Sequence, residues 1–416
     1  MSDNKPDALI IGAGIVGLAC AYELSKYGAK VTVIDMHEPG KGCSYGNAGW
    51  LTPCFALPLP MPGMLLKSLK WLSDPVSPLY IKPEFNITHF SWLIAFLRNM
   101  NARQANRSIA ALTELAKFSL KQFANYKVEL GMHFGFEQKG LLMVAQTNEG
   151  VSSAQLNMRI VGDHGIPGKF LNASEVKALE PSLTGPIRGG VYFPEEAHCE
   201  PFQIVQALAE AAKKRGVTIL SNAEVYNFET TGKSIQAIET TRGRFEAKEF
   251  LLATGTWSNS LGKALGIRIP IRGGKGYAIT VNSFDPSPKI PIMITERKIA
   301  VTPRNGSVRL AGTLELVDQD YSITTSRLNA IIEGSRQCFN FPKDLEITEL
   351  WRGLRPCTPD GVPIIGYAKE FSNLFIATGH QMMGLKTAPG TARLAAEMMT
   401  KAKPSFDPNP FRADRF

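Results

Sequence analysis

Three glycines and one carboxylate near the start of the chain have the spacing of a phosphate-binding turn. Gly12, Gly14 and Gly17 follow a short apolar run, and Asp35 ends a second apolar run about 20 residues later. In such a motif the first glycine permits a tight turn, the second lets backbone N–H groups approach a pyrophosphate, and the third lets helix and strand pack closely. A carboxylate at the end of the second apolar run binds the ribose hydroxyls of the dinucleotide. The pattern predicts a site for an ADP-containing dinucleotide.

A strand, a helix and a second strand must position this turn. The apolar runs predict strands at Ala8–Ile11 and Val31–Ile34, with a helix from Ile15 to about Lys26 between them. The helix N-terminus supplies unpaired N–H donors and the positive end of a dipole. Such a unit usually begins an open, mostly parallel sheet that is covered by helices on both faces.

The remaining pattern predicts that this nucleotide domain is interrupted. Apolar runs at 250–253 and 374–378 each lead into a glycine and predict two more buried strands, and residues 385–399 predict a closing helix. Helical patterns, including residues 65–72, 89–100 and 109–130, and the hairpin-like alternation of residues 223–250 lie between the first strand–helix–strand unit and these later strands. We therefore predict an α/β fold in which an α+β domain with an antiparallel sheet is inserted into a discontinuous Rossmann-like domain. The predicted boundaries are 1–62, 146–262 and 346–416 for the nucleotide domain, and 63–145 and 263–345 for the substrate domain.

Composition and charge exclude several classes of protein. The 416 residues carry 46 basic and 37 acidic side chains, a net charge of +9, which favours anionic partners. The longest basic block is the run at 213–215, and it ends a predicted amphipathic helix, so we expect no nucleic-acid binding. The six cysteines form no CxxC pair and no metal-ligand spacing with the histidines, so we expect reduced thiols and no metal. The sequence shows no signal peptide and no membrane-spanning run, and we expect a cytoplasmic location.

Five further motifs follow the glycine turn in order. They are SYGNAG at 44–49, ATGTWS at 253–258, GLRP at 353–356, TPDG at 358–361 and ATGH at 377–380. Together with the turn they resemble the D-amino-acid oxidase/dehydrogenase superfamily over nearly the whole chain. The loop at 44–49, the proline-rich stretch after it and Lys70–Trp71 are most similar to the small subunit of bacterial D-amino-acid dehydrogenases. The resemblance implies bound FAD, oxidation of an amino acid to an imine by hydride transfer to flavin N5, and a quinone or another carrier as electron acceptor.

The resemblance also points to three catalytic candidates. Arg355 occupies the GLRP position that the family uses to bind the substrate carboxylate, and a guanidinium offers the bidentate fork that a carboxylate prefers. Tyr277 lies on a predicted strand over the flavin, where a phenol could bind the carboxylate or close the pocket; a core tyrosine is the alternative. His380 follows a strand and a glycine beside the flavin, and a turn histidine bonded to the backbone is the alternative.

The same resemblance assigns a larger set of residues to the cofactor. The residues expected to contact FAD are Gly12, Gly14, Ile15, Val16, Gly17, Asp35, Ser44, Gly46, Asn47, Ala48, Gly49, Val225, Ala253, Thr254, Gly255, Trp257, Gly353, Gly379, Met383, Gly384 and Leu385. The N-terminus of the last helix, which Gly384 and Leu385 open, would stabilise negative charge on the reduced flavin.

Two departures from the family pattern bear on the cofactor and the substrate. Relatives that bind flavin covalently have a cysteine where this chain has Gly353, so we expect non-covalent FAD. The loop at 381–386 differs from the small, threonine-containing loop of D-alanine-type dehydrogenases, and Met382 and Met383 supply a soft apolar wall there. The substrate stays open between D-amino acids and cyclic D-imino acids such as D-proline or D-hydroxyproline.

More than one interpretation applies both to the role of the apolar region at 51–100 and to the reaction that the protein catalyses. That region, with Lys67 and Lys70, is compatible with a peripheral membrane contact of a quinone-using enzyme on the inner face of the cytoplasmic membrane, and equally with core packing or an oligomer interface. An oxygen-using amine oxidase of glycine or sarcosine type is the closest functional alternative. A nicotinamide dehydrogenase and a non-catalytic flavin-binding assembly protein are further ones, and Arg355 argues against the latter.

Overall fold

The computed structural model describes residues 5–63, 79–82, 84 and 87–416. The helix predicted at 65–72, together with Lys67, Lys70 and Trp71, lies outside the described residues. The strands, in chain order, are β1 (Ala8–Ile11), β2 (Val31–Ile34), β3 (Trp50–Leu51), β4 (Leu79–Ile81), β5 (Leu141–Ala145), β6 (Lys169–Asn172), β7 (Gly189–Phe193), β8 (Ala197–His198), β9 (Thr218–Leu220), β10 (Val225–Thr231), β11 (Ser234–Thr240), β12 (Gly243–Glu246), β13 (Glu249–Leu252), β14 (Arg272–Asn282), β15 (Ile292–Ile294), β16 (Ile299–Arg304), β17 (Ser307–Val317), β18 (Ile347–Cys357), β19 (Ile364–Tyr367) and β20 (Leu374–Thr378).

The α-helices of the described residues alternate with these strands. They are α1 (Ile15–Lys26), α2 (Ile87–Asn99), α3 (Ala102–Glu129), α4 (Asn148–Gly162), α5 (Ala173–Leu179), α6 (Pro201–Lys214), α7 (Ser258–Ala264), α8 (Thr325–Arg336) and α9 (Gly384–Met399). None of the helices in this part of the chain is both long and apolar enough to cross a bilayer.

One sheet is the predicted nucleotide-binding sheet. Its strand order is β19-β20-β13-β1-β2-β9, and all neighbours are parallel except β19 and β20. Helices α1 and α9 pack against each other, and the fully buried Leu18, Leu394 and Ala395 belong to the same core as strand residues of this sheet. The predicted α/β fold with a parallel nucleotide sheet is confirmed.

The glycine turn brings α1 very close to β1. A Cβ on Gly17 would lie 1.8 Å from the carbonyl oxygen of Gly12, so only glycine allows this contact. Gly12 itself has φ +112, and a Cβ there would lie 2.5 Å from the carbonyl oxygen of Ala253 on the neighbouring strand. Both glycines therefore act through close packing and backbone conformation.

A second, larger sheet is mostly antiparallel. Its order is β18-β14-β17-β16-β15-β5-β7-β6, and β4 adds to β17 in parallel. One face of it packs on α8 through Leu328 and Ile331, and the other face lies against the loop around Ala48. A three-stranded antiparallel sheet, β10-β11-β12, confirms the hairpins predicted at 223–250.

Sheet membership differs from the predicted domain boundaries at two places. Strands β6 and β7 were expected in the nucleotide domain but pair with β5 in the large sheet. Strand β18 was also expected there, and it pairs with β14 along its whole length. The cause is long-range strand pairing, which local patterns do not show. The division of the chain into two domains stays a prediction.

Candidate functional site

A cavity of about 480 Å³ opens where the parallel strands of the nucleotide sheet end. Residues at the carboxyl ends of β1, β2, β13 and β20 line it, among them Ile11, Ile34, Ala253 and Thr378. In open α/β sheets this edge is where ligands bind. The outer edge of β18 closes the cavity on the side of the large sheet, through Leu354 and Pro356.

The glycine turn and the start of α1 form one wall of this cavity. Gly14 precedes α1 and provides no side-chain cap, and the N–H of Ile15 donates to Ser44 Oγ at 3.1 Å. Asp35 braces the turn, because its Oδ2 accepts from the N–H of Ala13 at 2.6 Å and its Oδ1 from the N–H of His37 at 2.8 Å. Burial raises the pKa of Asp35. A carboxylate has about four acceptor positions, so Asp35 keeps capacity for ribose hydroxyls.

Most of the predicted cofactor residues come together around this cavity. Those that line it are Gly12, Gly14, Ile15, Val16, Asp35, Ser44, Asn47, Val225, Ala253, Thr254, Gly255, Trp257, Gly384 and Leu385. Glycine backbone, a helix N-terminus and a carboxylate at the end of β2 are the groups that an adenine dinucleotide requires. The residues present therefore fit FAD.

The other predicted cofactor residues do not line the cavity. Gly46 and Gly353 lie under the indole of Trp351, which occupies the space that a Cβ on either glycine would need. Ala48 packs against the alanines of the large sheet, and Met383 lies in a small core with Leu112. The rest, Gly17, Gly49 and Gly379, are enclosed by the carbonyl of Gly12, the carbonyl of Cys199 and the methyl group of Thr358, respectively.

His380 lies in the cavity wall and is held neutral. It is buried, and its Nε2 lies 2.9 Å from the hydroxyl of Thr391 in α9. Burial lowers the pKa of His380 to about 3, so the ring carries no charge at neutral pH. It can orient a ligand by hydrogen bonding but does not supply a cation.

The N-terminus of α9 directs the positive end of its dipole at the same cavity. Gly384 and Leu385 line the cavity, and no acidic residue lies in the first turn. A short 3-10 turn, Gln381–Met383, leads into the helix. This arrangement favours negative charge on a ligand at this end of the cavity.

Most of the N–H donors of the Arg355 guanidinium have no acceptor among the described residues. It extends from β18 over the backbone of Gly276, and its Nη1 donates to the carbonyl of Thr313 at 2.7 Å. Within the described part of the chain it forms no ion pair with a carboxylate, and the ionisable groups that face it are the thiols of Cys43 and Cys357. Burial lowers the pKa of Arg355, which remains a cation. The remaining donors can bind an anion.

Arg309 on the same face of the sheet shows the contrast. Its guanidinium donates to Glu349 at 2.7 Å and to the carbonyls of Tyr45 and Asn47 at 3.3 and 3.0 Å. Arg309 therefore connects the sheet to the loop at 44–49 and is a structural residue. Among the residues that the structure describes, Arg355 has one hydrogen-bond acceptor, the carbonyl of Thr313, and no carboxylate partner.

The structure places Tyr277 elsewhere than predicted. Successive side chains of a strand face opposite sides, so Tyr277 lies on the reverse face of β14 from Gly276 and Arg355. It is buried, its hydroxyl donates to Glu315 at 2.7 Å, and the N–H of Thr324 donates to the hydroxyl at 3.1 Å. The expectation that Tyr277 forms part of the pocket is corrected: its hydroxyl belongs to a buried network behind the sheet.

Sequence reasoning missed a buried cation in the first turn of α9. Lys386 donates to the carbonyls of Thr52 and Phe55 at 3.1 and 2.9 Å, and the buried carboxylate of Glu196 accepts from the N–H of Cys54 at 2.9 Å. Burial lowers the pKa of Lys386 and raises that of Glu196. The partners are 140 residues or more apart along the chain, and no local pattern reveals them.

Comparison with known sequences places this geometry in a family. A family model described as DAO, FAD dependent oxidoreductase, matches residues 7–398. A D-amino acid dehydrogenase of Granulibacter bethesdensis is 32% identical over 406 residues, which cover 96% of this chain and 97% of that protein. A D-amino acid dehydrogenase of Vibrio atlanticus is 31% identical over 400 residues, covering 95% and 96%.

Solved structures show the same fold. Glycine oxidase from Geobacillus kaustophilus superposes with a TM-score of 0.81 at 22% identity, covering 100% of both chains. L-proline dehydrogenase from P. horikoshii superposes with a TM-score of 0.78 at 24% identity, covering 99% of this chain and 98% of the other. The family match spans most of the sequence and the cavity fits an adenine dinucleotide, and the chain therefore belongs to the DAO family of FAD-dependent oxidoreductases.

Proposed function

We propose that this enzyme oxidises D-amino acids or cyclic D-imino acids to imines and passes the electrons to a quinone. The observation that carries the substrate class is the guanidinium of Arg355, which binds one backbone carbonyl and no carboxylate of the described chain. An α-amino acid supplies the missing carboxylate. The relatives named D-amino acid dehydrogenase, at 32 and 31% identity, support the choice of the D-series.

The residues of the chain hold the substrate and the cofactor in this proposal. FAD, when bound, supplies the acceptor for the hydride that leaves the substrate Cα. The residues that line the cavity hold it, with the glycine turn at the pyrophosphate and Asp35 at the ribose. Arg355 orients the substrate carboxylate through a bidentate contact. Hydride transfer requires no strong base, so we assign much of the rate to this positioning of the substrate. Neutral His380 completes the wall without adding charge.

The reaction is tested by anaerobic reduction of the bound flavin. Wild-type protein is mixed without oxygen with single D- and L-amino acids, D-proline, D-hydroxyproline, sarcosine and glycine, and the oxidised-flavin absorption is followed. We expect rapid bleaching with a D-compound and a loss of about 10³-fold in kcat/KM for Arg355→Met, because about 4 kcal/mol of charge-assisted binding is removed. The substrate assignment fails if Arg355→Met is reduced at the wild-type rate, or if only an L-amino acid bleaches the flavin.

A quinone acceptor is supported by an exposed apolar stripe on α2. Ile87 is 88% exposed, and Phe90, Ile94 and Leu97 are 50, 50 and 48% exposed, all at helical spacing, while Trp92 on the opposite face is buried. No aspartate or glutamate occurs between residues 85 and 113, and the only charged side chains there are three arginines. An apolar helix face with basic flanks fits an anionic membrane surface, where quinones reside.

Vesicle binding tests this acceptor. We expect the wild type to sediment with vesicles that contain phosphatidylglycerol and to reduce a quinone in them, and Ile94→Asp to lose both properties. Leu156→Asp is the matched control, because Leu156 is 52% exposed on α4 and lies outside the stripe. Equal loss in both variants would refute the assignment of membrane contact to the stripe. Rapid reoxidation of the reduced flavin by air, with no vesicle binding by the wild type, would instead support an oxygen-using oxidase.

A further inference from the structure

Three side chains on one face of the large sheet form hydrogen bonds with the loop that follows β17, residues 318–324. These are Arg352, Lys275 and Tyr277, which share the face of β18 and β14 that lies opposite Arg355. Arg352 Nε donates to the carbonyl of Tyr321, Lys275 Nζ donates to the carbonyl of Ser322 at 3.0 Å, and Tyr277 accepts from the N–H of Thr324 at 3.1 Å. Three cross-strand neighbours thus bind three positions of one loop.

Buried charge strengthens this attachment. Lys275 is 1% exposed and lies 3.7 Å from Glu315 and 3.5 Å from Asp320, which belongs to the loop. Asp320 also pairs with Lys82 at 3.0 Å and accepts from the N–H of Ser322 at 2.8 Å. Breaking a buried ion pair by removing one partner is costly, so the pairing of Lys275 with Asp320 opposes displacement of the loop.

The other side of the loop reaches the cavity. Gln319 lines it and donates to Ser260 Oγ at 3.2 Å, and Ser260 also lines it. The ring of Tyr321 stacks on Trp257, another lining residue, with ring centroids 6.3 Å apart and an interplanar angle of 26°. The hydroxyl of Tyr321 is buried and lies near the side chain of Thr256, another residue of the cavity wall. The loop therefore connects the large sheet to Trp257 and the start of α7 at the wall of the cavity.

We propose that residues 318–324 form a strap that retains FAD in the cavity, with Lys275, Tyr277 and Arg352 as its positioning residues. The tripeptide Lys275-Gly276-Tyr277 then has two roles on two faces of one strand. Gly276 leaves room for Arg355 on one face, and its neighbours hold the strap on the other. The inference rests on the proposed binding of FAD in this cavity.

The test measures the release of FAD from the purified holoenzyme by the rise in free-flavin fluorescence after dilution. We expect release to be about tenfold faster in Arg352→Ala and in Tyr321→Ala, because each removes a contact of the strap on one of its two sides. Arg336→Ala is the matched control: Arg336 is an exposed arginine on α8 that pairs with Glu333 at 3.6 Å, away from the strap. Its release rate should equal that of the wild type, and the KM for the amino acid should stay within about twofold in all variants.

Tyr277→Phe provides a second test, because it removes only the hydroxyl and leaves the ring packed. Release at the wild-type rate in all three strap variants would overturn the proposal, and so would a large rise in KM without faster release, which would assign the loop to the substrate. Failure of the proposed FAD placement has a different signature: in that case Gly12→Ala would retain FAD as tightly as the wild type.

Discussion

Replacing Gly276 with alanine should displace the arginine that we assign to the substrate carboxylate. A Cβ at this position would lie 2.1 Å from both Nη1 and Nη2 of Arg355 and 2.2 Å from Cζ. Ordinary contact begins at 3.4 Å, so the guanidinium must move by about 1.2 Å or more. Gly276 lies in β14, where the register with β17 shifts between Lys275 and Tyr277, but its φ is not positive, so alanine is compatible with the backbone conformation.

A misplacement of about 1 Å at a positioning group costs roughly 10²-fold in rate, which corresponds to about 2.7 kcal/mol. We therefore expect kcat/KM of Gly276→Ala to fall about 10²-fold while FAD content and the unfolding midpoint stay near wild-type values. The assay combines steady-state kinetics with anaerobic flavin reduction, so that loss of substrate orientation is separated from loss of cofactor.

Gly366→Ala is the matched control for this substitution. Gly366 also lies in a strand, β19, but a Cβ there would meet its nearest atoms at 3.6 and 3.8 Å, which is ordinary contact. We expect it to be fully active. Wild-type kcat/KM in Gly276→Ala, or an equal loss in Gly366→Ala, would refute the argument that the room above Gly276 positions Arg355.

Three further predictions concern the cofactor site and the buried charges. Gly12→Ala should lose FAD, and its free energy of unfolding, measured by urea titration, should fall by about 2 kcal/mol or more. Its control is Gly28→Ala: Gly28 also has a positive φ (+83), but a Cβ there would have no atom within 4 Å, so this variant should show only the backbone cost and keep its FAD. Burial lowers the pKa of His380 to about 3, so on acidification the unfolded state binds the proton before the folded state does. The free energy of unfolding should therefore fall by up to about 1.4 kcal/mol per pH unit from pH 6.5 downward. Urea titrations at several pH values should show this slope in the wild type and its loss in His380→Gln. Lys386→Met should lower the free energy of unfolding by about 3 kcal/mol, because it leaves the buried carboxylate of Glu196 without a nearby cation. Adding Glu196→Gln removes that carboxylate and should recover part of the lost free energy; equal stability of the single and double variants would contradict this coupling.

Local patterns determined the nucleotide-binding unit. The strand, the glycine turn, the helix Ile15–Lys26 and the acid at position 35 depend on residues within one short segment, and the structure has all of them at the cavity. Hydrophobic periodicity likewise predicted the start and end of the last helix to within a residue. The motifs at 253–258 and 377–380, which the resemblance assigned to the cofactor, follow β13 and β20, and these strands end at the same edge of the parallel sheet as β1.

Only the tertiary structure decided which face of the large sheet carries the chemistry. Strand alternation separates Tyr277 from Gly276 in any β-strand, but the sequence does not show which of the two faces the loop at 44–49. That choice depends on the pairing of β14 with β18, which brings together residues about 80 positions apart, and on Arg355 reaching back over Gly276. The burial of Lys386 beside Glu196 and the attachment of the strap to Lys275 arise in the same way. Short-range periodicity specifies elements, whereas partners across the fold are selected by the packing of whole sheets and helices against one another.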